Sequence, residues 1–477
     1  MRILLLIPPF FMGQKNFVKG MIFQPALGMA SLWATLKREG IEASLFDLSL
    51  SSWEEAGDLL ASHGRVDLAG ISCVTGQHFN TRRLARLIRE LKLSPKIVIG
   101  GGHATALPEQ ALRFTGSDCA VVGEGELTLL ELARALEANR NVEDVPGMMI
   151  ARKDGFIRTA KRKRIKDLDW LPFPDFSSYD LDRFGRWLFP ETNFPGPARK
   201  KLRKNAPRFL QLEASRGCPG RCTYCYQIFD TISFKSAKRV GDEIEYFYNN
   251  HGVRHIRFSD DNFTTNLKLT EAICDEIVAR KIMITWDCGA RVKPINDNLL
   301  EKMKEAGCIR IGFGVPVGTE SLLRRVNKKI TKQDIRDTFQ CVKKSGILAD
   351  CTIMTGIPGE SEETVDEMIA LMEECNPYGL SHTIHCIFPQ TATYKELVEA
   401  GKLADSYWEE NMAPPLYTLE HSINKQLEFK SRIFYSHYKR RGELFRASRE
   451  WLNYLKLKFK NRYFPQETGI ASLCRTA

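Results

Sequence analysis

The sequence predicts an α/β protein with a doubly wound parallel sheet, a partial (β/α)6 barrel and a helical carboxy-terminal region. Two series of short apolar runs alternate with segments of helical period, and a Pro-rich, basic stretch separates the two series. Because 477 residues are too many for one ordinary core, we expect separate domains. The predicted ranges are 1–145 for the first sheet, 146–206 for a connector, 207–400 for the barrel and 401–477 for the helical region.

The first series has the strand and helix spacing of a Rossmann- or flavodoxin-like fold. Strands are predicted at 2–7, 42–47, 68–72, 96–100 and 119–122, and helices at 27–37, 81–91 and 127–138. Right-handed crossovers between parallel strands bring the carboxyl ends of the strands to one edge, where ligands bind. The functional loops of this domain are therefore expected at that edge.

The connector contains the runs KRKRIKDLDWLPFPDF and FPGPARKK, whose proline and basic residues mark a boundary. The second series follows it, with strands predicted at 209–214, 255–259, 285–288, 310–314, 351–356 and 381–388. Six such units make a partial version of the eight-unit barrel, open on one side. Catalytic residues are expected at the carboxyl ends of these strands.

Composition indicates a cytoplasmic protein with reduced cysteines. The chain is 43% hydrophobic and 27% charged, and no apolar run approaches the roughly 18 residues of a membrane span. The start MRILLLIPPF resembles a buried strand more than a secretory signal, because two prolines follow the apolar run. Thirteen cysteines, an odd number, argue against a disulfide framework and favour metal ligation or core thiols.

Three cysteines form a cluster immediately after the first barrel strand. In EASRGCPGRCTYCYQ, Cys218, Cys222 and Cys225 are separated by three and two residues. Three thiolates suit a four-iron cluster and leave one iron open to a substrate. Zinc is the alternative, but a structural zinc site needs four protein ligands, and no second Cys-x-x-Cys or His-x-x-His is nearby.

This loop resembles the radical S-adenosylmethionine (SAM) superfamily, in which an aromatic residue precedes the third cysteine; here it is Tyr224. The resemblance implies a 4Fe-4S cluster that receives an electron from a donor such as flavodoxin or ferredoxin. It also implies that the cluster cleaves SAM to methionine and a 5′-deoxyadenosyl radical, and that Tyr224 packs near the adenine of SAM.

The same resemblance suggests five further SAM contacts. Asp260 and Asp261 follow the second strand in FSDDNFT, where relatives contact the methionine end of SAM; a plain acidic turn is the alternative. Arg291, after the third strand, is placed to hold the SAM carboxylate. Gly314 and Gly356 end the fourth and fifth strands and let a ligand approach the backbone.

The fourth strand departs from the family pattern. Cobalamin-binding members usually carry Gly-Ile-Glu-Ser-Gly there, whereas this chain has GFGVPVGTES, with Pro316 and Val317 in place of Glu and Ser. A carboxylate is thus missing from its expected position. Glu320 compensates only if the loop is rearranged.

The loops after the first, third, fourth and fifth strands of the amino-terminal domain read PPF, SCVTGQ, GGGHATALPE and GEGELT. In this order, and followed by LPFPDF and the cysteine loop, they resemble the cobalamin-binding subfamily of these enzymes. The resemblance covers roughly residues 1 to 400. It implies cobalamin contacts from Pro8, Pro9, Ser72, Thr75, Gly101, Gly102, His103, Gly123, Glu124, Gly125 and Glu126. A domain of this fold that no longer binds a cofactor is the alternative.

The cobalt-ligating motif Asp-x-His-x-x-Gly of methionine-synthase-type domains is absent after the first strand. His103 is therefore expected to form hydrogen bonds within its loop and not to ligate cobalt. The cobalamin would then have no protein histidine on its lower face.

The chain from His421 onward carries 13 Lys and Arg against 4 Asp and Glu, and so holds most of the net charge of +11. We expect helices packed on the barrel. Contact with an anionic membrane surface or an acidic substrate is the next interpretation, with the protein then peripheral to the membrane. A nucleic-acid partner is not expected, because no recognition motif accompanies the charge.

The predicted function is a cobalamin-dependent methyltransferase that acts on an unactivated carbon of a small-molecule or lipid-like substrate. The resemblance implies that the deoxyadenosyl radical removes a hydrogen, that methylcobalamin donates the methyl group, and that a second SAM remethylates cobalt. The alternatives are a cobalamin-associated oxidation, cyclisation or rearrangement, and a noncatalytic cluster-bearing protein.

Overall fold

The amino-terminal part of the chain folds around a seven-stranded sheet. In the computed structural model, which describes residues 1–10, 24–181, 208–463 and 469–471, its strands are β1 (Arg2–Ile7), β2 (Glu42–Asp47), β3 (Leu68–Ser72), β4 (Ile97–Gly100), β5 (Cys119–Val121), β6 (Met148–Arg152) and β7 (Gly155–Arg158). Their order is β2-β1-β3-β4-β5-β6-β7. The strands β1 to β5 pair in parallel, whereas β6 and β7 are antiparallel. The predicted doubly wound sheet is thereby confirmed.

Apolar side chains bury both faces of this sheet. Leu4 and Leu6 pack into one core with Leu60 and Leu84, and the residue between them, Leu5, is equally buried on the other face. Burial on both faces explains why β1 is uniformly apolar. The helices are α1 (Leu27–Arg38), α2 (Trp53–His63), α3 (His78–Glu90), α4 (Gly102–Ala106), α5 (Pro108–Thr115) and α6 (Glu126–Glu137).

The chain divides into two units that are not continuous in sequence. The first comprises Met1–Gln211, Ile228–Lys235 and Ala404–Met412, and the second comprises Leu212–Gln227, Ser236–Leu403 and Ala413–Ala477. The hairpin of β6 and β7 lies in the range predicted as a connector, although β6 begins with three buried apolar residues, Met148, Met149 and Ile150. Residues 182–206 of that range, including FPGPARKK, lie outside the described residues.

Most of the predicted partial barrel lies in the second unit. In chain order, the elements of the barrel region begin with β8 (Arg208–Leu212), the short strands β9 (Ser215–Arg216) and β10 (Ser233–Phe234), α7 (Ala237–His251), β11 (Val253–Phe258), α8 (Leu267–Ala279), β12 (Thr285–Ala290), α9 (Asp297–Glu305) and β13 (Cys308–Gly314). They continue with α10 (Glu320–Arg325), α11 (Lys332–Ser345), β14 (Leu348–Thr355), α12 (Glu362–Cys375) and β15 (Gly379–Ile384). The six-stranded sheet has the order β15-β14-β13-β12-β11-β8, and β11 to β15 pair in parallel.

Helices dominate the carboxy-terminal region, as predicted. Its elements are α13 (Ala392–Glu399), α14 (Tyr407–Glu410), β16 (Leu416–Thr418), α15 (Ile423–Arg440), α16 (Leu444–Tyr463) and β17 (Gly469–Ala471). The strands β16 and β17 pair antiparallel, and α15 packs against α16. Within the described ranges, no helix combines the length and apolar character that crossing a membrane requires.

Candidate functional site

The three predicted cluster ligands lie on one loop after β9. Cys222 is buried, Cys218 is half-buried and Cys225 is exposed. Backbone hydrogen bonds fix the loop: the amide of Cys225 donates to the carbonyl of Cys222 at 3.1 Å, and the amide of Gly220 donates to Sγ of Cys218 at 3.4 Å. No three potential ligands in the described residues could hold a single metal ion. A four-iron cluster binds each thiolate through a different iron, so the donor set fits that cluster.

Two cations lie beside these thiols. Nη1 of Arg291 is 3.7 Å from Sγ of Cys222. Lys328 is only 6% exposed, and burial lowers the pKa of its ammonium while the nearby thiols oppose that change. A hydrogen bond with Cys225, together with these cations, lowers the pKa of Cys222 to about 5, although burial opposes the shift. The loop is therefore an electropositive site for thiolates.

Lys328 was not predicted from sequence. It follows α10 in the run NKK, distant in sequence from the cysteines, and only the fold brings it close. A Cβ on Gly314 would lie 3.3 Å from Nζ of Lys328, so the glycine leaves room for this side chain. The predicted ligand contact at Gly314 is accordingly next to a buried ammonium.

Arg291 is held against the cysteine loop. Its amide donates to Oδ1 of Asn262 at 2.8 Å, and its guanidinium donates to the carbonyl of Lys328. A Cβ on Gly220 would lie 2.5 Å from Nη1 of Arg291, so only glycine permits this packing. Arg291 was expected to hold the SAM carboxylate, and the structure places its guanidinium beside Cys222, a predicted cluster ligand.

Asp260 braces the start of the cysteine loop. Its two carboxylate oxygens accept from the amide of Ala214 at 3.1 Å and from Oγ of Ser215 at 2.5 Å. Burial raises the pKa of Asp260 to about 7, although these hydrogen bonds oppose the rise. Asp261 is exposed. Both predicted SAM contacts follow β11, and the carboxylate of Asp260 is engaged by the protein itself.

The altered segment after the fourth barrel strand is well packed. Val317 is 4% exposed, and the carbonyl of Pro316 accepts from the amide of Met354 at 3.0 Å. Glu320 lies in the first turn of α10, and its Oε1 accepts from the amide of Lys332 at 2.7 Å. Glu320 therefore serves the connection to α11 and does not replace the missing carboxylate.

Tyr224 faces a buried histidine that sequence analysis had placed inside a strand. The ring centroids of Tyr224 and His385 are 6.4 Å apart at 82°, and His385 stacks on Tyr417 at 5.7 Å. Nδ1 of His385 contacts the carbonyl of Gly356 at 3.2 Å, whereas Nε2 is buried without a protein partner. A buried polar atom of this kind is usually satisfied by water or a ligand.

Gly356 is in close contact with the carboxy-terminal region of its own unit. A Cβ there would lie 2.5 Å from Oε1 of Gln426. The amide of Gly356 donates to Glu360 at 2.8 Å, and burial raises the pKa of Glu360 to about 7 while that hydrogen bond opposes the rise. Gln426 therefore lies close to one side of the Gly356 backbone.

The predicted cobalamin loops form one continuous edge of the first unit. They follow β1, β3, β4 and β5, which are neighbours in the sheet. Gly101 has φ +114°, and a Cβ there would lie 3.0 Å from the carbonyl of Cys73. Gly123 has φ +91° with open space where a Cβ would be, so the backbone is accessible to a bulky ligand. This arrangement fits the expected cofactor.

The other predicted cobalamin contacts in these loops differ in how exposed they are. Pro8 and Pro9 are buried, and Ser72 is half-buried at the end of β3. Gly102 begins α4. A Cβ on Gly125 would lie 3.0 Å from the side chain of Leu32, so this glycine serves helix packing.

Both predicted glutamates form polar contacts inside the protein. Glu124 pairs with Arg164 at 3.2 Å and accepts from the amide of Ile165 at 2.9 Å. Glu126 is 4% exposed and accepts from Oγ of Ser31 at 2.9 Å. Their carboxylates anchor the loop after β5 to neighbouring segments of the first unit.

His103 lies in a buried ring cluster. Its ring nitrogens contact Oγ1 of Thr75 at 3.2 Å and Oε1 of Gln110 at 3.0 Å, and the ring stacks on His78 at 4.4 Å. Burial lowers the pKa of His103 to about 4. Both ring nitrogens are thus engaged in hydrogen bonds with other side chains of the first unit.

Two protein-family models match different parts of the chain. The model of the Radical SAM superfamily matches residues 212–372, and the model of the B12 binding domain matches residues 23–133. The chain belongs to the cobalamin-binding radical SAM enzymes. Its cofactors are a 4Fe-4S cluster, SAM and cobalamin.

Two relatives of this radical SAM enzyme have different named activities. An uncharacterized methyltransferase of Pyrococcus horikoshii is 27% identical over 435 residues, which are 90% of each chain. Anaerobic magnesium-protoporphyrin IX monomethyl ester cyclase of Rubrivivax gelatinosus is 26% identical over 85% of this chain and 71% of its own. Methyltransferases are thus among the relatives, and so is a cyclase.

Solved structures show the same fold. The radical SAM methyltransferase TsrM of Kitasatospora setae, with tryptophan and a SAM analogue bound, superposes with a TM-score of 0.70 at 18% identity, covering 84% of this chain and 76% of TsrM. The cobalamin-dependent radical SAM enzyme OxsB gives a TM-score of 0.69 at 17% identity, covering 98% and 74%. At these identities the likeness concerns the fold alone.

Proposed function

We propose that this enzyme transfers a methyl group to an unactivated carbon of a small-molecule or lipid-like substrate. The observation that carries the proposal is the presence, in one chain, of a three-thiol loop and a four-loop cobalamin edge. Methyltransferases among its relatives support the proposal, including cytidylyl-2-hydroxyethylphosphonate methyltransferase of Streptomyces wedmorensis, 22% identical over 74% of each chain.

When bound, the cluster with SAM supplies a hydrogen-abstracting radical, and cobalamin supplies the methyl group. Cys218, Cys222 and Cys225 would hold the cluster, with Arg291 and Lys328 neutralising part of its charge. An electron donor such as flavodoxin or ferredoxin would supply the electron to the cluster.

We assign SAM contacts to Tyr224, Asp261, Arg291 and the backbones of Gly314 and Gly356, and we add His385. Asp260 would act indirectly, by fixing the start of the cysteine loop.

Cobalamin contacts are assigned to the backbone edge formed by Pro8, Pro9, Ser72, Thr75, Gly101, Gly102, Gly123 and Gly125. Glu124, Glu126 and His103 would support these loops from inside the protein.

Ring formation is the second candidate. It is favoured by the cyclase relative at 26% identity. In such a reaction cobalamin would not deliver a methyl group, and the substrate would lose hydrogen without gaining carbon.

Label transfer separates the two candidates. Anaerobic holoenzyme would be incubated with reductant, trideuteromethyl-labelled SAM and a panel of metabolites from an extract of its host. Methylation predicts a product that carries the three deuteriums and has one more carbon than its precursor. A product with the carbon count of its precursor and no label contradicts methylation and favours ring formation.

A further inference from the structure

The last long helix of the second unit, α16, exposes an apolar stripe. Phe445, Leu452 and Phe459 are seven residues apart, about two helical turns, and are 83%, 65% and 59% exposed. Leu455 lies beside them and is 45% exposed. Large apolar side chains aligned on one exposed helix face indicate a binding surface.

The opposite face of α16 is already packed. Glu450 is 3% exposed, and its carboxylate accepts from Nζ of Lys430 on α15 at 2.7 Å. Asn461 donates to Glu428 of α15 at 2.6 Å. These contacts fix the rotation of α16 about its axis. The apolar stripe therefore lies on the side of the helix that faces away from α15.

Basic residues accompany the stripe along the helix. Residues 444–463 contain six Lys and Arg and one carboxylate, the buried Glu450. Arg449 and Lys456 follow Phe445 and Leu452 by four residues, and side chains four residues apart share a helix face. Lys460 follows Lys456 by the same interval, and all three cations are exposed. A row of positive charge therefore borders the stripe.

We propose that α16 docks on an anionic phospholipid bilayer. The stripe enters the boundary between headgroups and acyl chains, while Arg449, Lys456 and Lys460 contact lipid phosphates. An apolar face with a basic border is the pattern of helices that lie in the plane of a membrane interface. Two other occupants of this surface are disfavoured. A second copy of the chain would place its basic residues against those of the first copy, and a nucleic acid would bind the basic residues but leave Phe445 and Leu452 exposed to water.

Docking is independent of the reaction proposed above, and it favours substrates that partition into bilayers. An enzyme held at the interface meets such substrates at a much higher local concentration than one in bulk water.

The test measures binding of the full holoenzyme to vesicles by co-sedimentation. Vesicles of phosphatidylglycerol mixed with phosphatidylcholine are compared with pure phosphatidylcholine, at low and high salt. The account predicts binding to the anionic vesicles that weakens with salt. The double variant Lys456→Gln/Lys460→Gln loses roughly 30-fold in affinity, taking about 1 kcal/mol for each basic residue. The double variant Phe445→Gln/Leu452→Gln loses binding to the anionic vesicles.

Matched controls test whether the position on α16 matters. Met283→Gln removes a side chain that is 81% exposed elsewhere in the same unit, and Lys268→Gln removes an exposed cation on α8. Both controls retain wild-type vesicle binding, and circular dichroism checks that every variant folds. The proposal is overturned if the wild-type protein does not bind the anionic vesicles. Self-association, or binding to a DNA or RNA oligonucleotide, that depends on the same α16 residues would in that case identify a different partner for this surface.

Discussion

Nη1 of Arg291 lies 3.7 Å from Sγ of Cys222, and the carbonyl of Lys328 accepts a hydrogen bond from the same guanidinium. Two buried or half-buried cations are thus joined to each other and to a predicted cluster ligand. Positive charge close to an iron–sulfur cluster favours its reduced, more negative state. These residues are therefore expected to tune the reduction potential of the cluster.

Lys328→Met is expected to lower the reduction potential of the reconstituted cluster by an amount on the order of tens of millivolts, because a nearby positive charge is lost. Lys328→Arg keeps the charge and should stay close to wild type. Potentiometric titration followed by electron paramagnetic resonance measures both. If the Met and Arg variants have the same potential as wild type, the electrostatic role is refuted.

His385→Leu is expected to weaken SAM binding by about tenfold, because Nε2 of His385 is buried without a protein partner and a ligand that satisfies it contributes roughly 1–3 kcal/mol. Binding can be followed by the change that SAM causes in the spectrum of the reduced cluster. His382→Gln is the control, since that ring already bonds to Thr355 at 2.8 Å. Equal SAM affinity in wild type and His385→Leu would remove His385 from the site.

Gly123→Ala is expected to reduce cobalamin retention. A residue with a Cβ is strained at a φ of +91°, so the substitution is expected to shift the loop and to move its backbone away from the ligand. Gly116→Ala is the matched control: Gly116 has φ +69°, equally open surroundings and a place at the end of α5. Both variants should lose similar thermal stability, whereas only Gly123→Ala should lose the visible cobalamin spectrum after desalting. Retention of cobalamin by both would argue against this edge.

Asp260→Asn is expected to change how stability depends on pH. Burial raises the pKa of Asp260 from its ordinary value of 3.8 to about 7, so between these pH values the folded state binds more protons than the unfolded state. The contribution of Asp260 is therefore present at low pH and is lost as pH rises toward 7.

The asparagine does not ionise, so the stability of Asp260→Asn relative to wild type should increase by up to about 1.4 kcal/mol per pH unit across that window. Denaturant unfolding of the apo protein at several pH values measures the difference. A difference that is constant from pH 4 to pH 8 would show that Asp260 titrates normally.

Sequence pattern was sufficient where local periodicity and fold agree. The strand β1 is a run of apolar residues buried on both faces, and its observed bounds, Arg2–Ile7, are those predicted. The three cysteines could be predicted as cluster ligands from their spacing and from the strand that precedes them. The hairpin of β6 and β7 was missed because β6 offers only a short apolar run, the buried Met148, Met149 and Ile150, at the start of a Pro-rich, basic stretch.

The site was less predictable where contacts join distant segments. Lys328 meets the cysteine loop across about a hundred residues, and no local pattern marks such a contact. His385 was placed inside a strand because the apolar run continues to Phe388, whereas β15 ends at Ile384. Asp260 follows β11 as predicted, and Glu320 begins α10. Hydrogen bonds that only the fold defines determine what the two carboxylates contact.

The central claim can be tested without knowing the substrate. Anaerobic protein reconstituted with iron, sulfide and cobalamin would be incubated with reductant and SAM, and the products quantified by mass spectrometry. The account predicts both 5′-deoxyadenosine and S-adenosylhomocysteine from wild type. It predicts no 5′-deoxyadenosine from Cys222→Ala, while Cys386→Ala, which alters a half-buried cysteine outside the loop, retains it. Wild-type protein with full cluster and cobalamin that forms no 5′-deoxyadenosine would contradict the account.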